Sequence, residues 1–196
     1  MYFLPHIVAI YRRFWTAEES HPARCNLLQH PISPKYTATG LHWLDTAGAK
    51  MGKPVKIGPW GGAGGDERNV QAMPRRLVSV TIHSGEGIDG ISFTYVGSDY
   101  IQYSEGPWGR TLNTESTITL DPTDYVTDIS GTFGTAYDNN IVTSLKIATV
   151  NDKDPKTFGT PNGTPFHIPV LDGGRIVGFF GRSGDLLDAI GVYIIA

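Results

Sequence analysis

The loop Ser183-Gly184-Asp185-Leu186-Leu187-Asp188 places two carboxylates and a glycine in a short polar stretch between apolar runs. No histidine, cysteine or serine–base pair stands beside it, so nucleophilic catalysis has no partner there. Another chemistry fits. A carboxylate accepts charge-assisted O–H bonds about twice as strong as neutral ones. Backbone N–H groups add fixed donors at no side-chain entropy cost. A Gly-x-x-x-Asp loop can therefore grip a small ligand rich in hydroxyls, with donors from Asp185 and Leu186 and acceptors on Asp188. Gly184 is expected to permit the tight turn. A plainer reading stays open from the loop alone: Asp188 caps the turn through an Asx-type bond.

The same spacing occurs in Gly85-Glu86-Gly87-Ile88-Asp89, a possible second site. Each loop has a candidate partner. "GPWGGAGG" (58–65) supplies Gly65, where a Cβ would crowd a ligand, and "GPWGRTLN" (106–113) carries Arg110 where the first copy has Gly62. A bulky cation there can block the second site or replace its amide donor. An enzymatic reading would make Asp185 and Asp188 a glycosidase acid/base pair. Residues three apart in one loop rarely face each other across a glycosidic bond, so no catalytic residue is expected. His83 and His167 occupy unrelated positions, and no His/Cys spacing fits a metal. No cofactor is expected.

The elements that must hold these loops are strands. "LVSVTIHS" (77–84) and "GISFTYV" (90–96) alternate with period two. "STITL" (116–120), "VTSLKIATV" (142–150), "PFHIPV" (165–170), "RIVGFF" (175–180) and "IGVYII" (190–195) continue the series, punctuated by Gly, Asp, Asn and Pro. No helical stripe appears. An internal repeat aligns Ser84, Gly85, Asp89, Gly90 and Ile91 with Ser183, Gly184, Asp188, Ala189 and Ile190. A middle copy at 128–147 keeps the strand–loop–strand rhythm but loses the Asp spacing, and "GTPNGT" (159–164) faintly echoes the GPWG piece. Two signatures in about three copies each predict an all-β prism of three similar sheets about a pseudo-threefold axis. Trp60 and Trp108, in the GPWG turns, read as core plugs.

Composition sets the limits. The net charge of −3 gives no electrostatic footprint for nucleic acid. The 24 glycines suit strands joined by tight turns, and the single Cys25 excludes an intrachain disulfide and is compatible with the cytoplasm. No apolar stretch is long enough for a membrane helix. Residues 1–50 hold four of the six histidines and only two glycines, with several prolines and no period. They read as a disordered N-terminal extension, or as sequence upstream of an initiator at Met51. Residues 51–196 form the patterned domain.

"VKIGPWGGAGGD", "PNGTPFHIPV" and "GRSGDLLDAIGVY" resemble the jacalin-related lectins over roughly residues 54–196. The ordered pair of GPWGGxGG and GRSGxxLDAIG is the specific part. The resemblance implies a β-prism of three four-stranded sheets that binds monosaccharides without metal. The uncleaved chain is similar to the mannose/glucose-binding branch, since the galactose branch carries aromatics in place of Asp185 and Leu186. In that branch the positions of Gly65, Gly184, Asp185, Leu186 and Asp188 grip the O3–O6 edge of the sugar. Some members use the loop matching Gly85, Glu86, Gly87 and Asp89 as a second site. The resemblance also makes 128–137 a loop lining the far side of the primary site, where Phe133 and Tyr137 either stack on a further sugar or simply pack. It implies mannose/glucose-containing glycans as partners, a homodimer, and a role in plant stress or defence. The rival is a protein-interaction module of the same fold without sugar affinity.

Overall fold

The structure is a computed structural model that describes residues 52–170 and 173–196. The expected N-terminal extension, residues 1–50, lies outside the described residues. Twelve strands are formed among them: β1 (Val55–Gly61), β2 (Asp66–Arg68), β3 (Pro74–Ser84), β4 (Ile88–Gly97), β5 (Gln102–Gly109), β6 (Thr114–Thr119), β7 (Val126–Ala136), β8 (Asn139–Thr149), β9 (Thr157–Gly159), β10 (Thr164–Pro169), β11 (Arg175–Ser183) and β12 (Leu187–Ile195).

Their pairing gives one motif three times. A long hairpin is flanked by two shorter strands, in the orders β1-β12-β11-β2, β5-β4-β3-β6 and β9-β8-β7-β10. A single bridge between Ile176 and Val126 joins the first and third. The three long strands β4, β8 and β12, one from each sheet, touch pairwise. The first sheet is the unusual one, because β1 and β2 begin the domain while β11 and β12 end it.

Alternation explains why the sheets turn inward. Val80, Ile82, Ile91, Phe93, Ile129, Leu145, Ile147, Phe179 and Val192 are all buried in one apolar cluster. Phe93 lies edge-on to both Trp108 and Phe179, each at 5.1 Å. Trp60 stacks on Phe166 at 5.5 Å. Both tryptophans thus serve the core, and each buried aromatic or branched side chain contributes about 1.5–3 kcal/mol.

Three stretches differ from the expectation. The GPWG segments are strand rather than turn: β1 and β5 run through them, with register shifts at Ile57/Trp60 and Ile91/Phe93. Residues 128–137 are mostly β7, paired along both edges with β8 and β10, and only the tip beyond Ala136 is loop. Among the described residues no helix is long and apolar enough to cross a membrane.

Away from the Gly-x-x-x-Asp loops, one buried phenol holds the β2–β3 connection. The Tyr95 hydroxyl accepts from the amides of Gln71 and Ala72, each at 3.1 Å, and donates to Glu105 at 3.3 Å. Burial, with the nearby Glu105 carboxylate, pushes its pKa up. Tyr95→Phe leaves the Ala72 amide without its acceptor. It is expected to lower stability by about 1–3 kcal/mol in urea unfolding, with ligand affinity at the far loops unchanged.

Candidate functional site

The β1–β2 turn (residues 62–65) and the β11–β12 turn (184–186) meet at one end of the first sheet. The meeting is fixed by backbone: the Gly62 N–H donates to the Asp188 carbonyl at 2.7 Å. The chain then crosses the Asp188 carboxylate at close range. A Cβ placed on Gly64 would lie 2.5 Å from Asp188 Oδ1. One on Gly65 would lie 2.3 Å from the Gly184 nitrogen and 2.6 Å from Asp188 Oδ2. Gly65 also has a φ of 57°, in the left-handed region. Glycine is required there on both counts.

Arginine side chains orient the turns, and the sequence reading did not assign them. Arg182 Nε donates to the Gly64 carbonyl at 2.8 Å, and its Nη2 donates to the Gly65 carbonyl at 2.5 Å. In a trans peptide the C=O and the following N–H point in opposite directions. Pinning the Gly64 carbonyl therefore aims the Gly65 N–H away from Arg182. Glu67 stands 3.6 Å from the same guanidinium. Arg68 holds the other turn, donating to Ser183 Oγ at 2.8 Å and to the Ser183 carbonyl at 3.2 Å.

Asp188 is only 8% exposed. Its Oδ2 accepts from the Gly184 N–H at 2.8 Å, so the capping bond is present. Capping uses one oxygen and leaves the other: Oδ1 accepts no hydrogen bond among the described residues. The amides of Gly65, Asp185 and Leu186 have no acceptor among them either. Asp185 is exposed, whereas Leu186 is 4% exposed and packs on Ala136 and Ile141 of the β7–β8 hairpin. That packing fixes the turn against the third sheet. Gly184 behaves differently from the expectation. Its φ is not positive, and an added Cβ would meet Gly65 Cα at 3.5 Å and Asp188 Oδ2 at 3.8 Å, which are ordinary contacts. The turn-forming glycine is Gly65.

The second loop has the same backbone clamp. The Arg110 N–H donates to the Asp89 carbonyl at 2.9 Å, as Gly62 does to Asp188. Its groups, however, are engaged. Asp89 is 1% exposed and accepts from Asn113 Nδ2 at 2.7 Å, while the Glu86 N–H donates to the Tyr137 hydroxyl at 2.9 Å. Gly87 is buried against Ile141. Tyr137 is thus committed to the second loop, and Phe133 packs on the main core. Among the described residues no group of three or more His, Cys, Asp or Glu is placed to hold a metal ion.

A model of the jacalin-like lectin domain matches residues 57–193. The chain belongs to this family. Horcolin from Hordeum vulgare is 59% identical over 145 residues, spanning 74% of this chain and 99% of Horcolin. The mannose binding jacalin related lectin from Ananas comosus superposes with a TM-score of 0.67 at 38% identity, over 73% of this chain and 98% of that lectin. Artocarpin complexed with methyl α-mannose superposes with a TM-score of 0.66 at 28% identity, over 74% of this chain and 99% of artocarpin. These neighbours share the β-prism, and the family is one of carbohydrate-binding proteins rather than enzymes.

The two glycines of the first site separate cleanly. Gly65→Ala is expected to destabilise the domain by at least the roughly 1–3 kcal/mol of a strained left-handed residue, with the steric overlap adding to it. Gly184→Ala is expected to leave the melting temperature nearly unchanged. Thermal unfolding of the two variants side by side checks this.

Proposed function

We propose that the domain is a metal-independent lectin for mannose/glucose-type glycans, with one site built from Gly65, Gly184, Asp185, Leu186 and Asp188. The observation that carries this reading is the set of unpartnered groups. Three amide donors and one carboxylate oxygen border the same two turns, and none of them has a hydrogen-bond partner among the described residues. A hexose edge presents hydroxyls and a ring oxygen that can meet such a set together, and each bond must replace one to water with good geometry. The names of the relatives support the sugar class, since they include mannose/glucose-specific lectins from Parkia.

The site offers polar groups on exposed turns, so single sugars bind weakly and useful avidity comes from several sites acting together. Among the described residues β1 pairs only with β12, and it exposes Val55 and Ile57 at 60% and 40%. A free edge of this kind favours pairing with a second copy, and a homodimer is part of the proposal. So are a cytoplasmic location, resting on the lone Cys25, and a role in plant stress or defence, resting on the family resemblance. The rival module without sugar affinity is disfavoured by the retained Gly65/Asp188 set.

Calorimetric titration with methyl α-mannoside in the presence of EDTA tests the reading. Binding is expected to survive the chelator and to exceed that of methyl α-galactoside. Asp188→Ala is expected to weaken it at least about tenfold, as loss of a hydrogen bond to a charged group implies. A folded protein that gives no heat with any hexose overturns the proposal.

A further inference from the structure

The second Gly-x-x-x-Asp loop keeps the backbone clamp of the first, but its Gly85 N–H donates to the Gly87 carbonyl at 3.0 Å where the Gly184 N–H bonds the Asp188 carboxylate, and other side chains lie over it. Counting from the two GPWG segments, Asn113 stands where Gly65 stands, four residues after Gly109 and Gly61 respectively. Both residues have a φ of 57°. Asparagine tolerates this region, so the turn keeps its course while gaining a side chain. That side chain points its amide at Asp89, donating from Nδ2 to Oδ2 at 2.7 Å. From the third sheet the Tyr137 hydroxyl accepts the Glu86 N–H at 2.9 Å.

Both groups converge over Gly85. A Cβ placed there would lie 2.7 Å from Asn113 Nδ2 and 3.1 Å from the Tyr137 hydroxyl. The matching space over Gly184 is open, bounded only by the Gly65 backbone and the Asp188 carboxylate. In the first loop a carboxylate oxygen and the amide of residue 185 lack protein partners. In the second, one carboxylate oxygen, Oδ2, and the amide of residue 86 are met by a donor and a hydroxyl from the chain itself. These are the two kinds of group that a sugar hydroxyl supplies.

We propose that the 85–89 loop is a latent hexose cradle held shut by the protein's own Asn113 and Tyr137, so that each chain presents one open site. This rests on the lectin reading above and adds its valency. Arg110, the residue expected to interfere, is exposed, and the side chain on Asp89 is that of Asn113. A tethered donor and a tethered hydroxyl compete at high effective concentration with a weakly bound free sugar. The caps are therefore not displaced at the concentrations that fill the first site.

The test opens the second loop while the first is disabled. Full-length wild type, Asp188→Ala, and Asp188→Ala combined with Asn113→Gly and Tyr137→Phe are titrated with methyl α-mannoside. Folding of each is verified by near-ultraviolet circular dichroism and thermal melting. Asn113→Gly suits the left-handed backbone, and Tyr137→Phe keeps the ring. Wild type is expected to bind one sugar per chain, Asp188→Ala to lose at least about tenfold in affinity, and the combined variant to regain one site. Two equivalent sites in wild type, or undiminished binding in Asp188→Ala, overturn the proposal because the second loop would already be open. A folded combined variant that stays silent while wild type binds also overturns it and leaves the lectin reading intact. Silence of wild type and of the combined variant with every hexose overturns both.

Discussion

One backbone hydrogen bond, made three times, sets the geometry of this domain. The Gly62 N–H reaches the Asp188 carbonyl at 2.7 Å, the Arg110 N–H reaches Asp89 at 2.9 Å, and the Thr160 N–H reaches Thr143 at 3.1 Å. Each bond clamps the turn between two short strands onto the tip of a long hairpin. The strand pairs on either side continue the same register: Gly61 opposite Ala189, Gly109 opposite Gly90, Gly159 opposite Ser144. Without the clamp the short flanking strands would have only their own few ladder bonds, and β2 and β9 are three residues each. With it, the turns at one end of the prism become parts of a rigid frame rather than free loops.

The three clamps then diverge through the residue that carries the carbonyl. At Asp188 the carboxylate lies under a Gly-Gly turn and keeps one oxygen without a protein partner. At Asp89 the Asn113 side chain bonds Oδ2 of the carboxylate. At Thr143 the side chain is fully buried and spends its hydroxyl on the Thr132 hydroxyl and the Asn162 carbonyl, at 2.7 and 2.6 Å. The series runs from open, through capped, to core. Function follows from which polar atoms the fold leaves unpaired, because buried polar groups are otherwise satisfied within the chain.

Most of this architecture was legible in the sequence where the signal is local. The strands that alternate cleanly were placed to within a few residues, and the Gly-x-x-x-Asp repeat gave both loops and their equivalence. β1 and β5 were read as turns because Gly and Pro dominate them, and such residues break the alternation that marks a strand. β7 was read as loop from the family resemblance, and its own pattern did not correct this. Its Gly131 interrupts the pattern, yet a Cβ there would lie 3.0 Å from the Phe166 ring, so the glycine is a packing requirement of the sheet. The site was legible as to its carboxylate and amides but not as to what orients them. Arg182 acts on a turn 117 residues away, and Tyr137 on an amide 51 residues away. Nothing in the local sequence of either residue announces such a partner. The left-handed backbone of Asn113 is likewise invisible until the turn is seen.

The open and capped turns are held by different means. In the first, Arg182 grips the turn through its carbonyls, and Glu67 steadies the guanidinium. The residue matching Arg182 in the second sheet is His83, 3.6 Å from Glu115 as Arg182 is from Glu67. His83 is shorter and, among the described residues, donates no hydrogen bond to the neighbouring turn and leaves its buried Nδ1 without a partner. The second turn is secured instead by the Asn113 side chain on Asp89. A turn gripped through its carbonyls keeps its amides and the facing carboxylate available. A turn secured through Asn113 places a side-chain donor of the chain itself on Oδ2 of the carboxylate. Of these two turns, the one with unpartnered amides is the one whose backbone carbonyls are gripped by a long, multidentate arginine.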